Sequence, residues 1–147
     1  MANDTLAGVF APVLTPFDKA LKPDAPLFVK YCGWILSQGS GLAMFGTNSE
    51  ANSLTVEEKL ELLGLAVENE LPVEKMMPGT GACALPDAVT LCQAAAKAKT
   101  AATLMLPPFY YKAVSDDGLF AFYAETIERV GDANLKICLY HIPQVSG

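Results

Sequence analysis

Residues 41–70 read GLAMFGTNSEANSLTVEEKLELLGLAVENE. The first piece, Gly41–Phe45, is apolar without strict alternation, the pattern of a strand covered on both faces. The second, Gly46-Thr47-Asn48-Ser49-Glu50, is dense in small hydroxyl and amide groups and reads as a loop. In the third, Thr55 and Glu58 stand three apart just before an apolar-periodic run. That is a capping box, with Thr55 as N-cap and Glu58 at N3. Val56, Leu60, Leu63 and Val67 then recur on one helical face. Strand, loop and capped helix make one βα unit.

The unit repeats along the chain. Apolar runs begin at Gly8, Gly41, Val73, Ala101 and Leu135, spaced 33, 32, 28 and 34 residues apart. They extend over Gly8–Leu14, Gly41–Phe45, Val73–Met77, Ala101–Leu106 and Leu135–Ile142. Amphipathic segments separate them. Asp24 and Pro26 open the first helix, which runs towards Ser37. Pro86 and Asp87 open the third, with Leu91, Ala95 and Ala98 on one side. Ser115 caps the fourth, with Asp116 and Asp117 in its first turn, where the helix dipole favours acids. Its apolar stripe is Leu119, Phe122, Tyr123, Ile127 and Val130. The expected order is β-α-β-α-β-α-β-α-β, five parallel strands with four helices and right-handed crossovers. No linker or low-complexity tract interrupts it, so residues 1–147 read as a single unit.

Composition narrows the function. Of 147 residues, 52% are hydrophobic, enough for a core, so disorder is excluded. Ten basic against sixteen acidic side chains give a net charge of −6, with no basic stretch, so nucleic acid is not an expected partner. No apolar run approaches ~20 residues, so no membrane helix is expected. Met1 to Thr5 is polar and lacks the basic and apolar regions of a signal peptide. Cys32, Cys83, Cys92 and Cys138 lie far apart, and there is one histidine, so no Cys/His metal cluster is expected. A reduced, cytoplasmic chain is the default reading.

Two folds fit the element order. A five-stranded doubly wound sheet is complete at this length. A (βα)8 barrel needs ~250 residues. Length favours the first; the motifs at the strand ends favour the second.

In either fold, ligands meet the loops after the C-terminal strand ends. These loops carry Thr15-Pro16-Phe17, Gly46 to Glu50, Pro78-Gly79-Thr80-Gly81 and Pro107-Pro108-Phe109-Tyr110-Tyr111, and the last strand ends in Tyr140-His141-Ile142-Pro143. Small polar groups with exposed backbone N–H suit a carboxylate or phosphate, although an ordinary polar turn has the same composition. Gly79-x-Gly81 is not a dinucleotide fingerprint, since the third glycine and the acidic partner are missing. No nucleotide cofactor is expected there, nor any other cofactor. Tyr140 closes an apolar strand. It is either a core tyrosine with a satisfied hydroxyl or a catalytic phenol, which then needs a second hydroxyl to relay its proton. Thr47 and Tyr110 or Tyr111, on neighbouring strand ends, could supply one. His141 could contact a substrate. Its ordinary reading is a polar residue facing away from Tyr140 by the two-residue strand period.

These residues carry a resemblance. The chain from Gly8 to Gly147 resembles the N-terminal half of the dihydrodipicolinate synthase and N-acetylneuraminate lyase family, class I Schiff-base aldolases on a (βα)8 TIM barrel. The markers are Pro12-x-x-Thr15-Pro16-Phe17, Gly46-Thr47-x-x-Glu50 followed by Leu54-Thr55-x-x-Glu58, Gly79-Thr80-Gly81, Pro107-Pro108-x-Tyr110-Tyr111 and Tyr140-x-x-Pro143. Each is weak alone; five in order, each at a strand end, make a specific signal.

The resemblance implies roles. Thr47 and Asn48 stand where the family binds the carboxylate of an enzyme-bound, pyruvate-like substrate. Tyr140 stands at the acid/base tyrosine, and Thr47 with Tyr111 (or Tyr110) at its relay partners. Tyr111 fits better when counted back from Ser115, and in many members that tyrosine reaches into a neighbouring subunit. The implied partners are a small 2-oxo acid and further copies of the chain, as a dimer or tetramer. Val145 stands where dihydrodipicolinate synthases carry an arginine for the second substrate's carboxylate. A branched apolar side chain cannot do that, which points away from aspartate semialdehyde to another 2-oxo acid reaction.

The family's Schiff-base lysine lies on the sixth strand. The nine lysines here are Lys19, Lys22, Lys30, Lys59, Lys75, Lys97, Lys99, Lys112 and Lys136. Most fall in loops or on helices, and Lys75 and Lys136 lie towards N-terminal strand ends. None matches the nucleophile, which is therefore expected beyond residue 147; this chain alone is expected to be inactive. Two other readings fit the same residues: a barrel relative that binds a 2-oxo acid without chemistry, and a complete flavodoxin-like binding domain.

Overall fold

A computed structural model of the chain describes residues 6–146. The signal-peptide reading of Met1 to Thr5 therefore falls outside the described residues, as does Gly147. The elements are β1 (Phe10–Pro12), α1 (Ala25–Ser37), β2 (Gly41–Ala43), α2 (Val56–Glu68), α3 (Leu85–Ala98), β3 (Thr103–Met105), α4 (Asp116–Val130), β4 (Ile137–Leu139) and the short α5 (Pro143–Ser146). Short 3-10 turns cover Thr47–Ser49, Ala51–Ser53 and Val73–Lys75. Among the described residues there are thus four strands, each of three residues, and five helices, not five strands and four helices.

β1 pairs in parallel with β2, and β3 with β4. The third apolar run is not a strand. Pro72 precedes a 3-10 turn over Val73–Lys75, and only single parallel bridges follow, Leu42 with Met76 and Gly79 with Leu104. Proline explains the interruption. The Met77 and Gly79 amides donate to Leu42 and Met44 carbonyls on the β2 side, at 2.8 and 2.7 Å. On the β3 side Thr80 donates to the Leu104 carbonyl at 2.9 Å, but Pro78 has no N–H and only accepts, from Leu104. Extended chain still lies between β2 and β3, so neighbours follow chain order. A flavodoxin-like sheet would put the first strand between the second and third.

The helix starts follow their local chemistry. Asp24 accepts from the Leu27 amide at 3.1 Å, and Ser115 from Gly118 at 3.1 Å. Both arms of the Thr55–Glu58 box are formed, at 2.9 and 3.1 Å. α3 begins at Leu85, a residue before Pro86, without a side-chain cap.

The buried faces differ from the expected stripes. α2 buries Lys59, Leu62, Leu63 and Ala66, while Val67 is exposed. It packs against both α1 and α3. With apolar residues around most of its circumference, the two neighbours decide which face turns inward. α3 buries Ala88, Leu91, Cys92 and Ala95. In α4, Phe122, Tyr123 and Val130 pack on a small cluster around Ala88, Cys92 and Met105, but Ile127 is exposed. The larger core holds Val13, Phe28, Leu42, Met44, Leu62 and Met76. No described helix is long and apolar enough to cross a membrane.

Candidate functional site

The loops after β1 and β2 are wired together. The Thr15 amide donates to Glu50 Oε2 at 2.8 Å, and Thr15 Oγ1 donates to the Ser49 carbonyl at 2.9 Å. Ser49 Oγ reaches back to the Ala43 carbonyl at 3.2 Å. Glu50 sits in the left-handed region at φ 55°, between the two 3-10 turns that fold residues 47–53 over the strand end. The most polar residues of this loop therefore build the scaffold that holds Thr47.

Phe45 ends β2's course in the left-handed region, at φ 59°. Its ring stacks on Phe28 with centroids 5.8 Å apart. Its carbonyl lies so close to Gly79 that a Cβ there would stand 2.0 Å from it. A Cβ on Gly81 would meet the Leu106 amide nitrogen at 2.8 Å. The Gly79-Thr80-Gly81 run is thus where neighbouring strand ends approach closely, a structural use of glycine.

A narrow pocket of about 10 Å³ opens among these ends, lined by Thr47, Asn52, Gly79, Gly81, Leu104, Phe109 and Tyr140, among others. It has room for roughly one water-sized group. Thr47 Oγ1 is buried and makes no hydrogen bond to any protein group. Tyr140 is held by its amide, which donates to the Met105 carbonyl at 2.9 Å. Thr47 and Tyr140, placed at strand ends 2 and 5 by the sequence, thus meet in one pocket.

The remaining expected residues do not line it. Asn48 is exposed on the first 3-10 turn. Tyr110 and Tyr111 are 76% and 55% exposed and pack edge to face on each other, with centroids 5.5 Å apart. Tyr111 faces a separate, largely apolar groove of about 350 Å³ with Cys83, Pro108, Val114 and Phe122. His141 is exposed. None of the nine lysines lines the Thr47–Tyr140 pocket; Lys75 and Lys136 line a different cavity, with Gly8 and Gly41. Asn52 and Phe109 were not singled out from sequence. Asn52 reaches the pocket only through the second 3-10 turn, and the one hint of Phe109 is its place between the prolines and tyrosines of the strand-end loop.

Comparison with known proteins agrees over the whole described chain. A profile of the Dihydrodipicolinate synthetase family matches residues 5–147. A 4-hydroxy-tetrahydrodipicolinate synthase from Desulforudis audaxviator is 33% identical over 136 residues, 92% of this chain and 45% of that protein. The crystal structure of dihydrodipicolinate synthase from Agrobacterium tumefaciens superposes with a TM-score of 0.89 at 28% identity, covering 95% of this chain and 49% of that one. A prophage protein of the dihydrodipicolinic acid synthase family from E. coli K12, solved in complex with pyruvate, gives a TM-score of 0.84 at 25% identity, with 95% and 46% coverage. The chain spans about half the length of the relatives it matches.

Proposed function

We propose, from the premise that this chain belongs to the dihydrodipicolinate synthetase family, that it is the N-terminal half of a (βα)8 barrel lyase or aldolase acting on 2-oxo acids. One observation carries the reading: Thr47, whose buried hydroxyl bonds to no protein group, and Tyr140 line one pocket at the strand ends. A buried hydroxyl without a partner costs roughly 1–3 kcal/mol. A bound substrate or a proton-relay partner would offset that cost.

In this reading a lysine beyond residue 147 attacks the C2 carbonyl of a pyruvate-type substrate. The carbinolamine hydroxyl leaves as water, and Tyr140 donates the proton it needs. Thr47 passes protons between Tyr140 and Tyr111, and Tyr111 is supplied by a second copy of the chain. Its exposure, and its lining a groove other than the Thr47–Tyr140 pocket, support that. Thr47 and Asn48 receive the substrate carboxylate. Val145, on α5, offers no charge to a second carboxylate, so the reaction partner is not aspartate semialdehyde. Residues 1–147 act as one folding unit of a cytoplasmic homo-oligomer, a dimer or tetramer.

The test is reductive trapping. Full-length protein with pyruvate and borohydride should gain a covalent adduct, and Tyr140→Phe should slow turnover by roughly two to four decades. Full-length protein that binds pyruvate yet never traps it would replace the enzyme by a sensor.

A further inference from the structure

The loop after β3 is fastened by a lysine. Lys112 Nζ donates to the Phe109 carbonyl at 2.9 Å and to the Val145 carbonyl at 2.8 Å. The first bond closes the Tyr110–Tyr111 turn on itself. The second crosses 33 residues of sequence to α5, which begins three residues after Tyr140. Val145 O is among the last carbonyls of a helix, which have no partner within it and accept from cations readily. The next residue, Ala113, takes φ 53°, a left-handed conformation that an alanine holds only when its surroundings impose it. A third tie holds the same loop from the other side, from the Tyr110 amide to Cys83 Sγ at 3.3 Å.

We propose that Lys112 is a positioning residue: its ammonium latches the loop carrying Phe109, Tyr110 and Tyr111 to the segment that follows Tyr140. Phe109 and Tyr140 line the same pocket, so the latch sets the spacing of two walls of the site. The acceptors are backbone carbonyls, so the interaction needs a long cationic donor at position 112 and makes no demand on the side chain at 145. The catalytic part of this proposal rests on the imine chemistry proposed above; the mechanical part does not.

The experiment uses full-length protein with Lys112→Met and Lys112→Arg, probed with pyruvate and borohydride. Lys112→Met keeps the aliphatic stem and loses both bonds. It should lower the maximal trapping rate by ~10-fold, with half-saturation by pyruvate little changed, because misplaced groups slow the step more than they weaken binding. Lys112→Arg can still reach two carbonyls and should restore most of the rate. Amide exchange reads the latch without chemistry: in Lys112→Met, the Tyr111 and Ser146 amides should both exchange ~10-fold faster. Unchanged trapping in Lys112→Met, an arginine variant as slow as the methionine one, or exchange that rises at neither or only one of the two amides would each overturn the latch. A wild-type protein that traps no pyruvate would instead remove the imine chemistry, and the catalytic part of this proposal with it.

Discussion

Glu50 Oε2 accepts the Thr15 amide at 2.8 Å and so joins two strand-end loops that lie 35 residues apart in sequence. A carboxylate bound to a backbone N–H is among the stronger hydrogen bonds of a fold. Glu50→Ala should therefore destabilise the protein by about 1–3 kcal/mol, while Glu50→Gln, which keeps an acceptor, should cost less. Denaturant unfolding of the two variants checks the order. Equal stability of Glu50→Ala and wild type would mean that the loops hold without this tie.

Thr47 makes the opposite prediction. Its Oγ1 bonds to no protein group, so Thr47→Val removes no hydrogen bond and keeps the shape. Stability should rise, by up to about 1–3 kcal/mol, as the cost of the buried hydroxyl is removed. Turnover of the full-length protein should fall at least ~10-fold if the hydroxyl relays a proton. A variant that loses stability and activity together would mark Thr47 as a structural residue.

Lys59 is buried on α2, and burial lowers its pKa, with Asp87 opposing that effect. Between the folded pKa and the unfolded value near 10.4, the unfolded chain holds more protons than the folded one. Stability should therefore rise with pH across that window, relieving a cost that is fully present below the folded pKa. Lys59→Met should abolish this rise and gain on the order of 1 kcal/mol at neutral pH. Melting curves at pH 7 and 10 would show it, and a variant less stable at pH 7 would refute it.

The cysteines should divide by burial. Desolvation pushes the Cys32 thiol up to about 12, and burial raises Cys92 as well. The thiolate is the reactive form, so a thiol reagent at pH 8 should leave both unmodified until the protein unfolds. Cys83, which is only partly buried, should react in the native state. Mass mapping of the labelled sites decides, and early labelling of Cys32 would mean that α1 opens readily.

Features fixed by local chemistry were legible in the sequence. Asp24, Thr55 and Ser115 cap helices because a side-chain oxygen and an amide two or three residues on are all that a cap requires. α3 starts on Ala84 and Leu85 without such an oxygen, so its boundary was off by one. Features fixed by neighbours were less legible. α2 is apolar around most of its surface, and only its packing between α1 and α3 chooses Leu62 and Ala66 over Leu60 and Val67. The third run falls short of a strand because Pro72 leads into a 3-10 turn and Pro78 has no N–H for its neighbour on the β3 side, an effect that depends on which neighbour the missing N–H would face. At the site, Thr47 and Tyr140 were legible because parallel strands bring their ends together. Asn52 was not, since it arrives through a short 3-10 turn that follows the left-handed Glu50. Tyr111 stands apart from the pocket in this chain, and its proposed role depends on a partner that no single sequence displays.

Phe45 faces two requirements that conflict. Its left-handed backbone suits glycine or asparagine, while its stack on Phe28 requires an aromatic ring. Replacing it with glycine would relieve about 1–3 kcal/mol of backbone strain but forfeit roughly 3–5 kcal/mol of packing. A designer therefore cannot relax this corner with one change. The ring would have to move to another element first, for instance through a larger residue beside Phe28, before position 45 could become glycine. Until then the joint between core and site stays under tension, and repacking around Phe28 would be transmitted directly to the backbone that carries Gly46 and Thr47.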